Sequence, residues 1–153
     1  YSWSKSKNIE LIKNFNAWYG LKYEIVYFYN VYGKGHLTSG KLAAVIGIFE
    51  GQYLQNRPLT VVGDGKQSRD FTHVDDIVRG TYLAWKKNLN KEYLLGTGNI
   101  HSLKYIANLF NHKIKHIPTR PGERLSSIKI NNDAYKYLKY KPNIKIEDYI
   151  NGS

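Results

Sequence analysis

Gly63-Asp64-Gly65-Lys66-Gln67-Ser68-Arg69-Asp70-Phe71-Thr72-His73-Val74-Asp75-Asp76 reads as a turn, a strand and the start of a helix in immediate succession. Gly63-Asp64-Gly65 is turn chemistry, because glycine supplies backbone angles that side chains resist. Phe71 to Val74 is a short β run. Asp75 can cap a helix that carries Ile77, Thr81, Ala84 and Trp85. A strand that feeds a helix is the unit of mixed α/β folds.

The flanking sequence keeps alternating between the two periods. Upstream, Pro58 precedes a strand from Leu59 to Val62, and Leu42, Val45, Ile46, Phe49 and Tyr53 fit a helix. Gly33 to Gly40 reads as a loop. Tyr23 to Tyr29 is a β-rich run that closes at a turn, Asn30-Val31-Tyr32-Gly33. Ile12, Phe15 and Tyr19, flanked by Leu11 and Trp18, predict a helix over residues 2–18, ended by Gly20. Downstream, Tyr93 to Leu95 is a short strand ending at Gly96-Thr97-Gly98. Ser102 can cap a helix whose inner face is Leu103, Ile106, Ala107 and Phe110. A strand over Lys115 to Ile117, a loop over Pro118 to Ser127 and a helix over Asn132 to Leu138 complete the reading. The order predicts an α/β fold with some parallel strands.

Composition narrows the function. The 153 residues are 42% hydrophobic, about one domain with a real core. There is no Cys, hence no disulfide framework, thiol nucleophile or thiolate metal site. The five His show no metal-ligand spacing, and no metal ligand is expected. The longest apolar run, Leu42 to Phe49, is too short to span a bilayer, and no signal peptide is visible. The chain has no Met, so it does not begin at an initiator and reads as processed or as a piece of something longer. The net charge of +11 suggests a nucleic-acid binder, but the lysines are spread along the chain and form no basic block. A small anionic ligand held by a few placed arginines fits better.

Several groups could carry chemistry. Tyr1 and Lys5 stand one helical turn apart on the same face. An ammonium beside a phenol favours the phenolate and yields a usable acid/base. Asn30 could point its amide from a strand end toward a ligand, or serve as a turn residue. Arg69 could reach a diphosphate bidentately, or pair with Asp70 or Asp64. Arg120-Pro121-Gly122-Glu123-Arg124 sets cations and a carboxylate on a stiffened loop, or is an ordinary solvated loop. Gly96-Thr97-Gly98-Asn99-Ile100-His101 sits where a dinucleotide fingerprint would, but His101 replaces the third glycine and no acidic residue follows on a second strand. It reads as a structural turn.

Taken together, Tyr1-Ser2-Trp3-Ser4-Lys5, Phe28-Tyr29-Asn30-Val31-Tyr32-Gly33, the run from Gly63 to Asp76, Leu95-Gly96-Thr97-Gly98 and Arg120-Pro121-Gly122-Glu123 resemble, in order and spacing, the C-terminal half of NAD-dependent nucleotide-sugar epimerases/dehydratases. These are the extended short-chain dehydrogenase/reductases, and the UDP-glucose 4-epimerase type is the nearest likeness. The resemblance implies the C-terminal portion of a Rossmann-type α/β fold. Residues 1–35 would close the NAD-binding domain, and 36–153 would mainly form the nucleotide-sugar domain, with some segments returning to the Rossmann sheet. It implies Tyr1 as acid/base and Lys5 as the group that binds the nicotinamide ribose and lowers the tyrosine's pKa. Phe28 would meet the nicotinamide. Asn30, Arg69 and Arg120 would hold the sugar diphosphate or ribose, Glu123 would lie near the ribose hydroxyls, and Thr60 and Val62 would line the nucleotide. The implied cofactor is NAD and the implied substrate a UDP-sugar, in a cytoplasmic homodimer formed through the Tyr1/Lys5 helix, with neither nucleic acid nor membrane as partner.

Two departures stand out. Members of the family usually carry Arg two residues before the aromatic-Asn pair, where this chain has Tyr27. The half bearing the Gly-rich phosphate loop and the catalytic Ser/Thr has no counterpart in this sequence, so the chain reads as a fragment, expected to lack epimerase activity and tight NAD binding alone. Its Tyr23 to Tyr29 strand is expected to have an exposed edge. The rival readings are a nucleotide-sugar dehydratase, decarboxylase or reductase, a non-catalytic UDP-binding module and, third, a basic nucleic-acid module.

Overall fold

The structure, a computed structural model, describes residues 2–119 and 132–152. α1, Ser2–Tyr19, forms where the apolar spacing predicts it. Gly20 ends it in the left-handed region, its N–H reaching the Asn16 carbonyl at 2.9 Å. None of its described side chains is buried. Phe15, Trp18 and Tyr19 pack their rings on one another instead, with centroids 5.4–6.3 Å apart. The stripe that makes this helix therefore faces no core among the described residues.

β1, Ile25–Phe28, lies parallel to β5, Glu92–Leu95, in register from Ile25 opposite Glu92 to Phe28 opposite Leu95. The two form their own sheet, and β1 has no second strand partner among the described residues. The Glu24 carboxylate accepts from the N–H groups of Leu89, Asn90 and Lys91, which fixes the turn into β5. Glu92 ties the sheet to α1 through Lys13 and accepts from the Tyr27 hydroxyl at 2.6 Å. Tyr27 thus fills the place of the family's Arg with a neutral donor, and burial together with the Glu92 hydrogen bond pushes its pKa up to about 12.

The segment expected to be a turn, Asn30-Val31-Tyr32, is a strand. β2, Asn30–Tyr32, lies parallel to β4, Ser68–His73, with Asn30 opposite Phe71. The expected run from Tyr23 to Tyr29 is correspondingly shortened to β1, and the chain changes sheet at Tyr29. The reason is non-local: β4 satisfies the backbone, and Tyr32, 1% exposed, enters the core. β4 begins at Ser68 rather than Phe71. It also pairs antiparallel with β6, Ile100–Ser102, a strand the sequence reading did not anticipate. A third sheet joins β3, Leu59–Val62, in parallel with β7, Ile114–Ile117.

The helices α2 (Val45–Leu54), α3 (Val74–Lys87), α4 (Leu103–Leu109), α5 (Asp133–Leu138) and α6 (Ile146–Asn151) cover these sheets. The α3 cap is His73, not Asp75: its Nδ1 accepts from the Asp75 N–H at 3.2 Å. Asp75 and Asp76 fall in the first turn, where the partial positive charge of the helix start favours carboxylates. Ser102 caps α4 as expected, accepting from the Tyr105 N–H at 3.1 Å. α2 begins three residues after Leu42, which stays exposed. A Cβ on Gly47 would stand 2.2 Å from the Leu37 carbonyl oxygen, so only glycine lets the 36–38 backbone lie on α2. His36 and Glu50 pair across the same contact at 2.7 Å.

Apolar burial forms two clusters. One gathers Tyr32, Phe49, Leu59, Val61, Phe71 and Ile106 with both ends of α6. The other gathers Ile77, Ala84, Tyr93, Leu95, Leu138 and Tyr140 between α3, α5 and the β1–β5 pair.

The hydrogen bonds from Lys13 and Tyr27 hold the Glu92 carboxyl below its ordinary range. A folded-state pKa below the unfolded one contributes stability that is present above the unfolded value and is lost as pH falls through the folded value. Acidification past the ordinary Glu range is therefore expected to release α1 first. Amide exchange across α1 should rise while β4 stays protected, and Glu92→Gln should give α1 the same fast exchange already at neutral pH.

Candidate functional site

In open α/β sheets, ligands lie beyond the carboxyl ends of parallel strands. Phe28 ends β1 and is 51% exposed there. Two residues on, Asn30 opens β2. Its Nδ2 donates to the Asp70 carbonyl at 3.2 Å, which engages one of its two amide hydrogens and orients the other. Arg69 lies on the neighbouring strand β4, half-buried, and its Nη1 donates to the Ser68 carbonyl at 2.8 Å. The β2–β4 pairing therefore brings Asn30 and Arg69 onto adjacent strands, which sequence distance did not show.

Thr60 and Val62 occupy alternate positions of β3. Leu59 and Val61 point into the core at 0% and 1% exposure, which leaves Thr60 and Val62 on the half-buried opposite face. The Val62 carbonyl accepts from Gln67 Nε2 at 2.9 Å, and His116 Nδ1 meets the Gly63 carbonyl oxygen at 2.7 Å. A Cβ on Gly63 would stand 2.8 Å from Thr119 Cγ2, so Thr119 passes directly over the end of β3. Thr60 and Val62 belong to a different sheet from Asn30 and Arg69. Lys5 is exposed on α1. Tyr1, Arg120 and Glu123 lie outside the described residues.

The residue that sequence reasoning missed here is Asp70. It is 1% exposed. Its Oδ1 accepts from the Thr97 N–H at 3.1 Å, the Thr97 hydroxyl at 2.8 Å and the Thr72 hydroxyl at 3.2 Å, and its Oδ2 accepts from the Gly98 N–H at 2.8 Å. Gly98 sits at φ +80, which lets the turn close on the carboxylate. The Gly96-Thr97-Gly98 turn thus directs its amides at a protein carboxylate and does not cradle a phosphate. A buried acid beside a turn of Gly and Thr was the available signal, hidden by reading Asp70 only as a partner for Arg69.

Of the residues expected to meet NAD, Phe28 is exposed at the carboxyl end of β1 and Lys5 is exposed on α1. Among the described residues no cluster of His, Cys, Asp or Glu could hold a metal ion, and no helix is long and apolar enough to cross a membrane.

Parallel strands connected through helices define a Rossmann-type α/β protein. The profile of the NAD dependent epimerase/dehydratase family matches residues 1–96, and the chain belongs to that family. A Methanocaldococcus jannaschii protein with the provisional name UDP-glucose 4-epimerase is 32% identical over 98% of this chain and 50% of its own length. The Bacillus cytotoxicus UDP-N-acetyl-alpha-D-glucosaminuronate decarboxylase is 36% identical over 65% of this chain and 33% of its own length. The solved structure of the Thermotoga maritima UDP-glucose 4-epimerase with UDP-glucose superposes with a TM-score of 0.88 at 30% identity, over 95% of this chain and 48% of that one. The chain thus spans about half the length of the first of these relatives and of the solved structure.

Asp70→Ala is expected to lower the stability of the chain by about 2–4 kcal/mol, since it removes the acceptor shared by the buried Thr72 hydroxyl and the Thr97 and Gly98 N–H groups. Denaturant unfolding measures this, and Thr97→Ala, which removes one hydroxyl donor, should lose about 1 kcal/mol.

Proposed function

We propose that this chain carries the acid/base helix and the nucleotide-sugar-binding portion of a UDP-sugar 4-epimerase. The observation that carries the reading is the placement of Arg69 and Asn30 on the adjacent strands β4 and β2, within a fold shared with a UDP-glucose-bound relative. In this reading residues 1–35 close the NAD-binding domain, and 36–153 mainly form the nucleotide-sugar domain, with β5 returning to pair with β1.

The roles follow from the chemistry of each group. Tyr1, as tyrosinate, takes the proton from the sugar C4 hydroxyl and later returns it. Lys5, one turn along α1, favours the tyrosinate and binds the nicotinamide ribose. NAD, when bound, would supply the hydride chemistry at C4. Phe28 borders the nicotinamide. Arg69 and Arg120 hold the diphosphate with charge-assisted hydrogen bonds. Asn30 offers its second amide hydrogen to the same group. Glu123 accepts from the ribose hydroxyls, and Thr60 and Val62 line the nucleotide. The activity is that of a protein of the relatives' length.

A second reading is favoured by the 36% identity to a UDP-sugar decarboxylase. It keeps UDP-sugar binding and C4 hydride transfer and changes the fate of the 4-keto sugar. Released carbon dioxide from a UDP-uronate, measured on the full-length protein, would select it over epimerisation.

The reading also places a second copy on α1, whose Trp3, Leu11, Phe15, Trp18 and Tyr19 are all exposed. Trp18→Asp should then weaken self-association in analytical ultracentrifugation by roughly tenfold or more, since removing a central aromatic from an interface typically has that effect.

UDP binding by calorimetry is the direct test. Binding that falls at least tenfold in Arg69→Ala is the expected result, because the mutation removes a bidentate charge partner. Equal UDP affinity in the mutant and the unaltered chain would sink the assignment of Arg69.

A further inference from the structure

β3 is a strand with one closed edge. Its Leu59 and Gly63 N–H groups reach the Lys113 and Ile117 carbonyls of the β7 side at 2.7 and 2.8 Å. Strand alternation turns the N–H groups of Thr60 and Val62 to the opposite edge. No strand covers that edge among the described residues. A four-residue strand in a two-stranded parallel sheet is a weak element by itself.

A side chain takes the place of the missing neighbour. Gln52, on α2, accepts from the Thr60 N–H with Oε1 at 2.9 Å and donates from Nε2 to Thr60 Oγ1 at 2.8 Å. The planar amide thereby engages the Thr60 backbone and side chain together, in the manner of a paired strand. The Gln52 main-chain carbonyl also accepts from the Arg57 N–H at 2.8 Å, closing the turn that enters β3, where Asn56 adopts a left-handed φ of 50°. One residue therefore fixes the start of β3 at three points. The edge is closed at Thr60, and β3 runs on from there through Val62 to Gly63.

We infer that Gln52 is a positioning residue for nucleotide binding, acting through Thr60 without touching the nucleotide. This rests on the reading that Thr60 and Val62 line the nucleotide. Without the clamp, the Thr60 N–H finds water, because Thr60 is only half-buried. The fold then survives, but the strand no longer presents one fixed edge. Binding would have to order it each time.

The test uses the chain as it exists, with UDP and ADP as probes in calorimetry, amide exchange at Thr60 and Val62, and thermal unfolding. Gln52→Met, of similar length but without the amide, is expected to lower UDP affinity roughly tenfold, the penalty of reordering the edge. It should also narrow the gap between UDP and ADP and speed exchange at Thr60. Gln52→Glu keeps an acceptor for the Thr60 N–H and, by rotation of the hydroxyl, one for Thr60 Oγ1. It is expected to restore the protection of Thr60 and the UDP-over-ADP preference.

UDP binding in Gln52→Met equal to that of the unaltered chain overturns this inference and leaves the nucleotide reading standing. Absence of UDP binding in the unaltered chain overturns both. If Gln52→Met fails to fold, Gln52→Glu decides alone: restored Thr60 protection with a lost UDP preference overturns the positioning role, and joint recovery supports it.

Discussion

A single buried carboxylate holds the parts of this molecule in register. Among the described residues Asp70, 1% exposed, accepts from the Thr72 hydroxyl and three times from the Thr97–Gly98 turn at the end of β5. That turn ends one sheet, while Asp70 sits in the strand that organises another. Burying an acid is tolerable only where donors replace its water, and here two backbone amides and two hydroxyls do so. The same residue's carbonyl takes the Asn30 amide, so β2, β4 and the end of β5 meet at one point.

Asp76, six residues on, repeats the device for the chain's end. It is 2% exposed and accepts from the N–H groups of Asn143 and Ile144 at 2.9 and 3.0 Å and from Arg79 at 2.5 Å. This anchors the segment that leads to α6, whose Ile146 and Ile150 then join Tyr32 and Phe71 in the core. Tyr32 reaches the Ile144 carbonyl from the other side. The β4–α3 junction thus carries two internal anchors and, in the proposed function, one ligand-facing cation between β2 and the turn.

Elements whose own residues satisfy a local rule were legible. Leu59–Val62 is apolar, bounded by Pro58 and Gly63, and Ser102 has the hydroxyl that an α4 cap needs. Elements whose stability is borrowed were not. Asn30-Val31-Tyr32 carries a turn-forming Asn and is a strand only because β4 lies beside it. Ile100–Ser102 follows a glycine turn and pairs antiparallel with β4, from which α3 and β5 separate it along the chain. Ile146–Asn151 is too short for a periodic signal and forms because Asp76 delivers it to the core. His73 outcompeted Asp75 as the α3 cap because β4 ends one residue before the helix begins, leaving no room for a later start.

The sequence by itself determined the α/β alternation, most helix positions, the family and the residue types that could meet a nucleotide sugar, because periodicity, turn chemistry and motif spacing are written along the chain. Tertiary structure alone decided which of those residues are neighbours. Asn30 and Arg69 are far apart in sequence and become adjacent through a parallel strand pairing. Gln52 and Thr60 join through a helix-to-strand packing that no motif marks. Parallel pairing and side-chain clamps are long-range contacts whose partners are chosen by shared burial and by the need to satisfy every buried polar group, and that choice is made only when the whole chain folds.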